Sequence, residues 1–345
     1  FRRLNADADN VQPLFQGVPK DASIEFRLAT IAPNGDCFKG ITRTLTSLTH
    51  DGSDGQAQLN TAFFGNDVFQ GTWSHTNYLN ILVARNIGGA AGYTYRPSSW
   101  GGTSVYYNSI WMLQNYTGSI GTSSVNTSRT LTHEVGHWLN LKHTWGDGNS
   151  PGLASNCDMD DDVADTPNTV GSTYCNFNET TCGPVANVEN YMDYSYDLCM
   201  NIFNNDQRMR MRTVLENSPI RASLITSDAC VPPAVNDASV VNIINPKGDH
   251  CPGSITPTVV LRNRGTANLT SATIRYTIDG GTPVNFNWTG SIAPAGSANV
   301  TLPAFTTTLG IHTFNAVSLM PNGVADPHTT FDASEITFAV SNGYQ

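Results

Sequence analysis

The chain has 345 residues, of which 39% are hydrophobic and 13% charged, and its formal net charge is −10. This length is typical of two domains, because single hydrophobic cores stop growing at roughly 250–300 residues. The acidic balance argues against a nucleic-acid partner, which needs a basic face, and no apolar run reaches the roughly 18 residues of a membrane span.

The first third of the chain contains several short segments with strand patterns. Residues 24–29 alternate with period two and residues 78–83 form a more continuous apolar run, so both predict strands. Residues 92–95 and 104–107 predict two shorter strands. Residues 1–9 form a polar piece that we interpret as helical, and we read the start at Phe-Arg-Arg as a processed or truncated form.

From 128 to about 140 the pattern becomes helical and contains His-Glu-Val-Gly-His. Residues four apart lie one above the other on a helix, so His133 and His137 can hold one metal ion. Glu134 lies roughly 100° around the helix, where it cannot be a ligand but can accept a proton from a zinc-bound water, whose pKa is about 7. The same carboxyl can then protonate a leaving amine.

A third ligand is available at His143, six residues beyond His137. A straight helix would carry it about 9 Å away, so the helix must end and the chain must turn back. Asn140 lies midway and is, after Gly, the residue best suited to a left-handed helix end. The alternative is a surface helix with three histidines, but unpartnered imidazoles are costly on a buried helix. Four apolar side chains predict that burial: Val135, Trp138, Leu139 and Leu141.

Two stretches together resemble the metzincin metallopeptidases, and within them the pappalysin family. They are His-Glu-Val-Gly-His-Trp-Leu-Asn-Leu-Lys-His-Thr-Trp at 133–145 and Asn-Tyr-Met-Asp-Tyr-Ser-Tyr-Asp-Leu-Cys-Met at 190–200. The resemblance covers roughly residues 1–225. It implies an α+β catalytic domain, metzincin-like, with a twisted mixed sheet, an active-site helix and a loop-rich lower half.

The resemblance also implies roles for single residues in a zinc-dependent endopeptidase. Glu134 would be the general base, and the zinc ligands would be His133, His137 and His143. Met192 would lie beneath the metal in a tight Met-turn. Tyr194 would stabilise the oxyanion, with a packing aromatic as the alternative. Asp197 would lie at the base of the pocket for the residue after the scissile bond and favour Arg or Lys there, with a solvated loop aspartate as the alternative.

Seven cysteines are present, and four of them lie in the loop-rich segment 157–199. This crowding predicts disulfides and an oxidising compartment. The resemblance implies two pairs, Cys157 with Cys182 and Cys175 with Cys199. We further predict a bridge between Cys230 and Cys251 at the domain junction, and Cys37 stays unassigned.

The segment 158–167 carries five aspartates within eight residues. The resemblance implies that it binds calcium, which takes hard oxygen ligands. By position, the best ligands are Asp161, the Ala164 carbonyl and Thr166. A solvated acidic loop is the alternative, because the regular EF-hand spacing is absent.

The composition changes near residues 227–236, where Cys-Val-Pro-Pro-Ala-Val predicts a linker. Residues 237–345 then predict short alternating strands joined by turns, as in an all-β, immunoglobulin-like sandwich domain. We therefore predict a zinc metallopeptidase catalytic domain at 1–226, a linker at 227–236 and the sandwich at 237–345.

Taken together, the sequence predicts a secreted or cell-surface zinc endopeptidase that acts on protein or peptide substrates, with a C-terminal domain that docks substrate or a cell-surface component. The alternative is a non-catalytic adhesion or binding protein with a structural or vestigial zinc site. The intact Glu134 and Tyr194 favour the enzyme. Zinc-dependent hydrolysis of a non-peptide substrate is a third possibility, which the Met-turn disfavours.

Two departures from the family pattern stand out. Asn140 replaces the usual Gly, and the chain begins inside the first helix of the family. The strand that holds extended substrate by β-pairing is expected near residues 88–95.

Overall fold

The computed structural model describes five stretches of the chain: residues 10–17, 22–37, 39–43, 73–97 and 104–342. Contacts between Cα atoms divide the chain into two units. The first comprises Phe1–Leu28 with Ile41–Ala229, and the second comprises Ala29–Gly40 with Cys230–Gln345. The helix expected at residues 1–9 lies outside the described residues. No helix of the described residues is long and apolar enough to cross a membrane.

The first unit has three strands and three α-helices among its described residues. They are β1 (Ile81–Ala84), β2 (Gly92–Thr94), α1 (Val105–Asn108), β3 (Ile110–Leu113), α2 (Thr130–Trp138) and α3 (Asn205–Asn217). Short 3-10 turns accompany them at Pro13–Phe15, Gln114–Tyr116, Val125–Thr127, Ala154–Asp158 and Ala222–Thr226. Long loops therefore make up most of the described part of this unit.

The sheet of the first unit has the order β1-β3-β2. β1 runs parallel to β3, whereas β2 runs antiparallel to β3 along the edge. The central strand β3 is almost fully buried, since Ile110, Trp111 and Met112 are buried. The sheet is therefore mixed, as expected, and leaves one side of β2 unpaired by any strand among the described residues.

Two strand predictions in this unit are wrong. Residues 104–107 lie in and beside α1, a helical turn closed by the Ser109 hydroxyl, which donates to the Val105 carbonyl at 2.7 Å. Residues 24–29 have no regular secondary structure, although Ile24 and Phe26 pack against the core of the unit. Their period-two pattern thus reflects one half-buried face and not a regular strand.

The core of the first unit surrounds α2. It joins β3, the loop after residue 190 and α3, through Ile110, Met112, Val135, Trp138, Leu139, Leu141, Tyr191, Met192, Met200, Phe203, Met211 and Val214. The guanidinium of the buried Arg221 lies 4.3 Å from the Trp138 ring centroid, and the Trp138 indole N–H donates to the Asn108 carbonyl at 2.9 Å. These contacts of the protein itself therefore fix the position of α2, without a contribution from a metal ion.

Two disulfides staple the loop-rich part of the first unit, Cys157–Cys182 and Cys175–Cys199. Both pairs are those that the family resemblance implied. The second pair ties the loop before residue 190 to the segment that follows Met192. It therefore restrains the chain next to the candidate site.

The predicted bridge between Cys230 and Cys251 is wrong, because both residues are free thiols. The strand Ala238–Asn245 lies between the two residues along the chain. The chain after Cys230 bonds to the segment that follows the strand Thr258–Asn263, with the Thr266 N–H donating to the Ala234 carbonyl at 3.0 Å. Cys251 instead follows the strand Gly248–His250, beyond the other end of Ala238–Asn245. Cys37 is also a free thiol.

The second unit is rich in strands. They are β4 (Ala238–Asn245), β5 (Gly248–His250), β6 (Ser254–Ile255), β7 (Thr258–Asn263), β8 (Leu269–Ile278), β9 (Val284–Ile292), β10 (Ser297–Thr301), β11 (Phe305–Thr306), β12 (Gly310–Leu319) and β13 (Ala333–Val340). Short 3-10 turns lie at Pro321–Gly323 and Thr329–Phe331. The strand pattern predicted for residues 237–345 is thus present.

These strands form two larger sheets, with the orders β10-β7-β4 and β5-β13-β12-β8-β9, and β6 pairs with β11. Buried residues of both sheets form one apolar core, including Val240 and Leu261 from the first and Ile274, Phe314 and Phe338 from the second. This core is separate from the core around α2.

The segment Ala29–Gly40 belongs to the C-terminal unit, which the division at residue 226 did not anticipate. Its Asp36 accepts a hydrogen bond from the Arg262 guanidinium at 2.9 Å and lies 3.4 Å from Nη1 of Arg264. An ion pair between residues more than 200 positions apart has no local pattern, so sequence periodicity could not have indicated it.

Candidate metal centre and active site

The helix α2 begins at a carboxylate from a distant loop. Asp197 accepts a hydrogen bond from the Arg129 backbone N–H at 2.5 Å, at the position that caps the helix. A negative charge is favourable there because the first N–H groups of a helix lack partners and carry partial positive charge. No local pattern could reveal that a residue 68 positions away supplies the acceptor.

The helix ends where the spacing of the histidines requires it. Asn140 has φ of +74°, and α2 stops at Trp138. The Leu141 N–H donates to the Gly136 carbonyl at 2.9 Å and the Asn140 N–H to the His137 carbonyl at 2.8 Å. This pair of bonds is the Schellman arrangement with a left-handed residue after the helix. The predicted break at Asn140 is confirmed.

The break brings the three histidines together. Nε2 of His137 lies 3.0 Å from Nε2 of His133 and 3.1 Å from Nε2 of His143. Each Nδ1 lies 2.7–2.8 Å from a backbone carbonyl, and the carbonyls belong to Tyr191, Leu141 and Gly148. Because a carbonyl can only accept, each Nδ1 carries the proton and each Nε2 lone pair faces its neighbours.

Burial keeps these imidazoles neutral. It lowers the pKa of His133 to about 4 and that of His143 to about 3, and it lowers the pKa of His137 well below the usual value. The other two imidazoles lower the pKa of His137 further. Three neutral nitrogens with convergent lone pairs repel one another unless a cation lies between them. The donor set therefore fits zinc, which binds neutral imidazole nitrogen.

Glu134 lies on the same helix and is buried. Burial raises the pKa of its carboxyl to about 8. Gly92 on the edge strand β2 passes so close that a Cβ atom there would lie 2.7 Å from Cγ and 2.9 Å from Oε1 of Glu134. Only glycine leaves room for this approach, so Gly92 sets how near β2 lies to the carboxyl. The sequence singled out the region 88–95 but not Gly92 itself.

Met192 lies beneath the helix as a fully buried side chain. A methyl group added to Gly136 would overlap its sulfur atom, so the glycine between the first two histidines makes room for this packing. The Met192 carbonyl accepts a hydrogen bond from the Thr144 N–H at 3.2 Å. Met192 therefore contacts the helix that carries His133 and His137, and also the residue that follows His143.

Asp193 is a buried carboxyl that the sequence reasoning missed. It accepts hydrogen bonds from the Ser172 N–H at 2.8 Å, the Tyr194 N–H at 2.7 Å and the Thr144 hydroxyl at 3.1 Å. Burial raises its pKa to about 7, against the effect of these bonds. Its position fixes the backbone between Met192 and Tyr194, and no local pattern marked it because two of its partners lie 21 and 49 residues away.

Tyr194 and Trp145 flank the histidines. The Tyr194 ring centroid lies 4.8 Å from that of His143 and 5.5 Å from that of His133, and the Trp145 ring stacks on His143 at 4.5 Å. Burial, with a smaller effect from Glu134, raises the pKa of Tyr194 to about 12. Its hydroxyl therefore keeps a proton to donate at neutral pH.

The acidic segment 158–167 has three buried members, Asp161, Val163 and Thr166. Asp161 is 4% exposed, and its Oδ1 accepts a hydrogen bond from the Val163 N–H at 3.2 Å, while Oδ2 has no partner among the described residues. Burial raises the pKa of Asp161 to about 7, and a bond from Thr166 lowers it. Two of the three predicted calcium ligands are thus adjacent.

Comparisons with known proteins identify relatives of the first unit. The peptidase family described as pregnancy-associated plasma protein-A matches residues 63–216. The structure of mature mirolysin from Tannerella forsythia, solved in complex with a cleaved peptide, is 36% identical with a TM-score of 0.57, covering 67% of this chain and 86% of that chain.

Two curated relatives are extracellular metalloproteases. The protein of Sordaria macrospora is 34% identical over 152 residues, covering 42% of this chain and 51% of the relative. The protein of Arthroderma otae is 34% identical over 186 residues, covering 52% and 63%. The chain spans about half the length of most curated relatives that it matches. With the three histidines, the neighbouring glutamate and the buried Met192 in place, the chain belongs to the pappalysin family of metzincin metallopeptidases.

Proposed function

We propose that this protein is a secreted zinc-dependent endopeptidase. The observation that carries the proposal is the convergence of three imidazoles, with Nε2 of His137 lying 3.0 and 3.1 Å from the other two Nε2 atoms and with Glu134 buried on the same helix. Secretion is supported by the two disulfides and by relatives named as extracellular metalloproteases. Mirolysin, a relative at 36% identity, was solved with a cleaved peptide, which supports peptides as the substrate class.

Zinc would be held by His133, His137 and His143, and it supplies a Lewis acid that polarises the substrate carbonyl and makes water more acidic. Glu134 accepts the proton of the attacking water on its carboxylate and returns it to the leaving amine. Tyr194 keeps its hydroxyl proton at neutral pH and donates a hydrogen bond to the developing oxyanion.

The edge strand β2 is the surface on which an extended peptide would bind. Its antiparallel partner β3 occupies one side, and Gly92 brings the strand against Glu134. Main-chain hydrogen bonds to an edge strand hold a peptide regardless of its side chains. The scissile carbonyl of a peptide bound in this way would lie near the general base.

Asp197 is our candidate for a preference for Arg or Lys after the scissile bond. Its carboxylate lies at the start of α2 and accepts from the Arg129 N–H. Its negative charge would attract a cationic substrate side chain. Asp197→Asn keeps an oxygen acceptor for the helix and removes the charge, so we expect the preference for basic residues to fall while cleavage itself remains.

We further propose calcium at Asp161, the Ala164 carbonyl and Thr166, because the buried Oδ2 of Asp161 lacks a partner among the described residues. For the C-terminal unit we propose an immunoglobulin-like β-sandwich at residues 237–345 that docks substrate or a cell-surface component. Its two sheets around one core support the sandwich.

Digestion of a peptide library tests this function. Wild-type protein should cleave peptides before Arg or Lys, lose activity when a chelator removes zinc, and regain it when zinc is restored. Asp197→Asn should cleave the same library with a weaker basic preference. Absence of any zinc-dependent cleavage would reject the endopeptidase, whereas cleavage without basic preference in the wild type would reject only the role of Asp197.

A further inference from the structure

Three carboxylates cluster in the C-terminal unit, outside the site described above. Asp237 directly precedes β4, whereas Asp326 and Asp332 lie in the connection between β12 and β13. One carboxylate oxygen of each lies within 4.8 Å of the others. Asp237 and Asp332 are only 5% and 1% exposed, so water cannot screen their mutual repulsion effectively.

Hydrogen bonds fix the positions of two of these carboxylates, Asp326 and Asp237. Asp326 accepts from the Ala238 N–H at 3.0 Å through one oxygen and from the His328 N–H at 3.0 Å through the other. Oδ2 of Asp237 lies 3.1 Å from Nδ1 of His328. The carboxylates of Asp326 and Asp237 thus join the start of β4 to the connection between β12 and β13.

The carboxylate of Asp332 lacks partners. Its main-chain carbonyl accepts from the N–H groups of Val240 at 3.1 Å and Ser318 at 3.0 Å, which fixes the backbone. Among the described residues, neither of its carboxylate oxygens has a hydrogen-bond partner, and Oδ1 of Asp237 lacks one as well. Native proteins rarely leave such groups buried without a partner, and a metal ion is one of the usual partners.

One guanidinium does not balance the cluster. Arg264 lowers the pKa of Asp332, but its Nη1 also lies 3.4 Å from Oδ1 of Asp36. Burial and the two neighbouring carboxylates outweigh this effect and raise the pKa of Asp332 to about 8. Asp332 therefore ionises only at a cost that a bound cation would remove.

We propose that Asp237, Asp326 and Asp332 bind a calcium ion. The cluster supplies hard oxygen ligands from two separate segments, and calcium accepts six to eight such ligands in irregular geometry, whereas magnesium demands a near-ideal octahedron. The ion ties the start of β4, in one sheet, to the connection between β12 and β13 in the other. This site is independent of the calcium proposed at Asp161.

Calcium titration of the full chain by calorimetry tests the proposal. The matched control is Asp249→Asn, because Asp249 is an exposed aspartate on β5 outside the cluster. Asp332→Asn should lose one bound calcium per chain, whereas Asp249→Asn and Asp161→Asn should keep the calcium of this cluster. Unchanged calcium stoichiometry in Asp332→Asn would overturn the proposal.

Thermal unfolding with and without calcium distinguishes a loss of calcium binding from a folding defect in Asp332→Asn. Without calcium, Asp332→Asn should be at least as stable as the wild type, because the amide removes a buried like charge. With calcium, the unfolding temperature of the wild type should rise by more than that of Asp332→Asn. Equal rises in the two proteins, or an equal response to magnesium, would contradict a calcium site at this cluster.

Discussion

At the scale of single residues, burial governs the protonation of the metal centre. It favours the neutral form of His133, His137 and His143, which is the form that binds zinc. It also favours the protonated form of Glu134, which a nearby cation would oppose. Zinc binding and activation of Glu134 are therefore linked, because the carboxyl becomes a base when positive charge is present.

We expect His133 to lower the stability of the zinc-free protein as the pH falls from about 6.5 toward about 4, whereas buried carboxyls with a raised pKa, such as Glu134, act in the opposite direction. Histidines of the unfolded chain titrate near 6.5, whereas burial lowers the pKa of His133 to about 4. Between these values the unfolded chain binds a proton at this histidine that the folded chain does not, so the contribution of His133 to the free energy of unfolding decreases as the pH decreases. Urea unfolding of the zinc-free protein across this range measures the slope. The slope should be smaller in His133→Gln, and equal slopes would refute the assignment.

The residues of the metal centre were largely predictable, since four-residue and six-residue spacings carry geometric meaning on a helix. Gly92 and Asp193 were not. Each contacts residues far away in sequence. Gly92 approaches the side chain of Glu134, and Asp193 accepts a hydrogen bond from the Ser172 N–H. Packing between distant segments leaves no periodic pattern, so only the structure reveals these contacts.

At the scale of elements, the end of α2 determines whether His143 reaches the other histidines. Asn140→Val should lower the free energy of unfolding by about 1–2 kcal/mol, because a β-branched residue resists the left-handed conformation. Asn140→Gly, the control, should retain stability and zinc. Denaturant unfolding and zinc content per chain are the measurements. A fully stable, zinc-loaded Asn140→Val would show that the turn does not depend on this residue.

The packing of α2 on Met192 gives a second element-scale prediction. Alanine normally stabilises a helix interior relative to glycine by roughly 0.5–1 kcal/mol. Gly136→Ala should instead destabilise the protein by about 1–3 kcal/mol, because the added methyl overlaps the Met192 sulfur. Chemical denaturation measures the change, and the double variant with Met192→Ala should relieve the overlap. A stabilising Gly136→Ala would contradict the close packing.

Element types were harder to predict than the site. The period-two segment at 24–29 half-buries one face but has no regular secondary structure, and 104–107 lie in and beside a helical turn that precedes β3. Short apolar runs suit a strand and a buried turn equally well. The helix α2 was predictable, because a longer pattern and a left-handed end at Asn140 agree.

At the scale of the whole molecule, two separate cores predict two unfolding transitions in calorimetry. Zinc should raise the unfolding temperature of the first unit only. At a zinc concentration 1,000 times the dissociation constant, the free energy of unfolding of this unit should rise by about 4 kcal/mol. Comparing zinc-loaded and zinc-free protein provides the check. A single transition that zinc shifts as a whole would indicate that the two units unfold together.

The division into an enzyme-like part and a strand-rich part could be predicted because composition and periodicity change along the chain. The place of Ala29–Gly40 in the C-terminal unit could not, since it depends on ion pairs from Asp36 to Arg262 and Arg264. The bridge between Cys230 and Cys251 was wrong for a similar reason. Spacing between cysteines does not reveal that β4 separates them.

The rate of peptide cleavage by Glu134→Ala, at equal zinc per chain, tests the central claim most directly. We expect cleavage to be slower by at least about 10²–10⁴-fold, because the variant keeps the three histidines and loses the general base. Zinc content should match that of the wild type. Wild-type cleavage rates in a zinc-loaded Glu134→Ala protein would contradict the proposed mechanism.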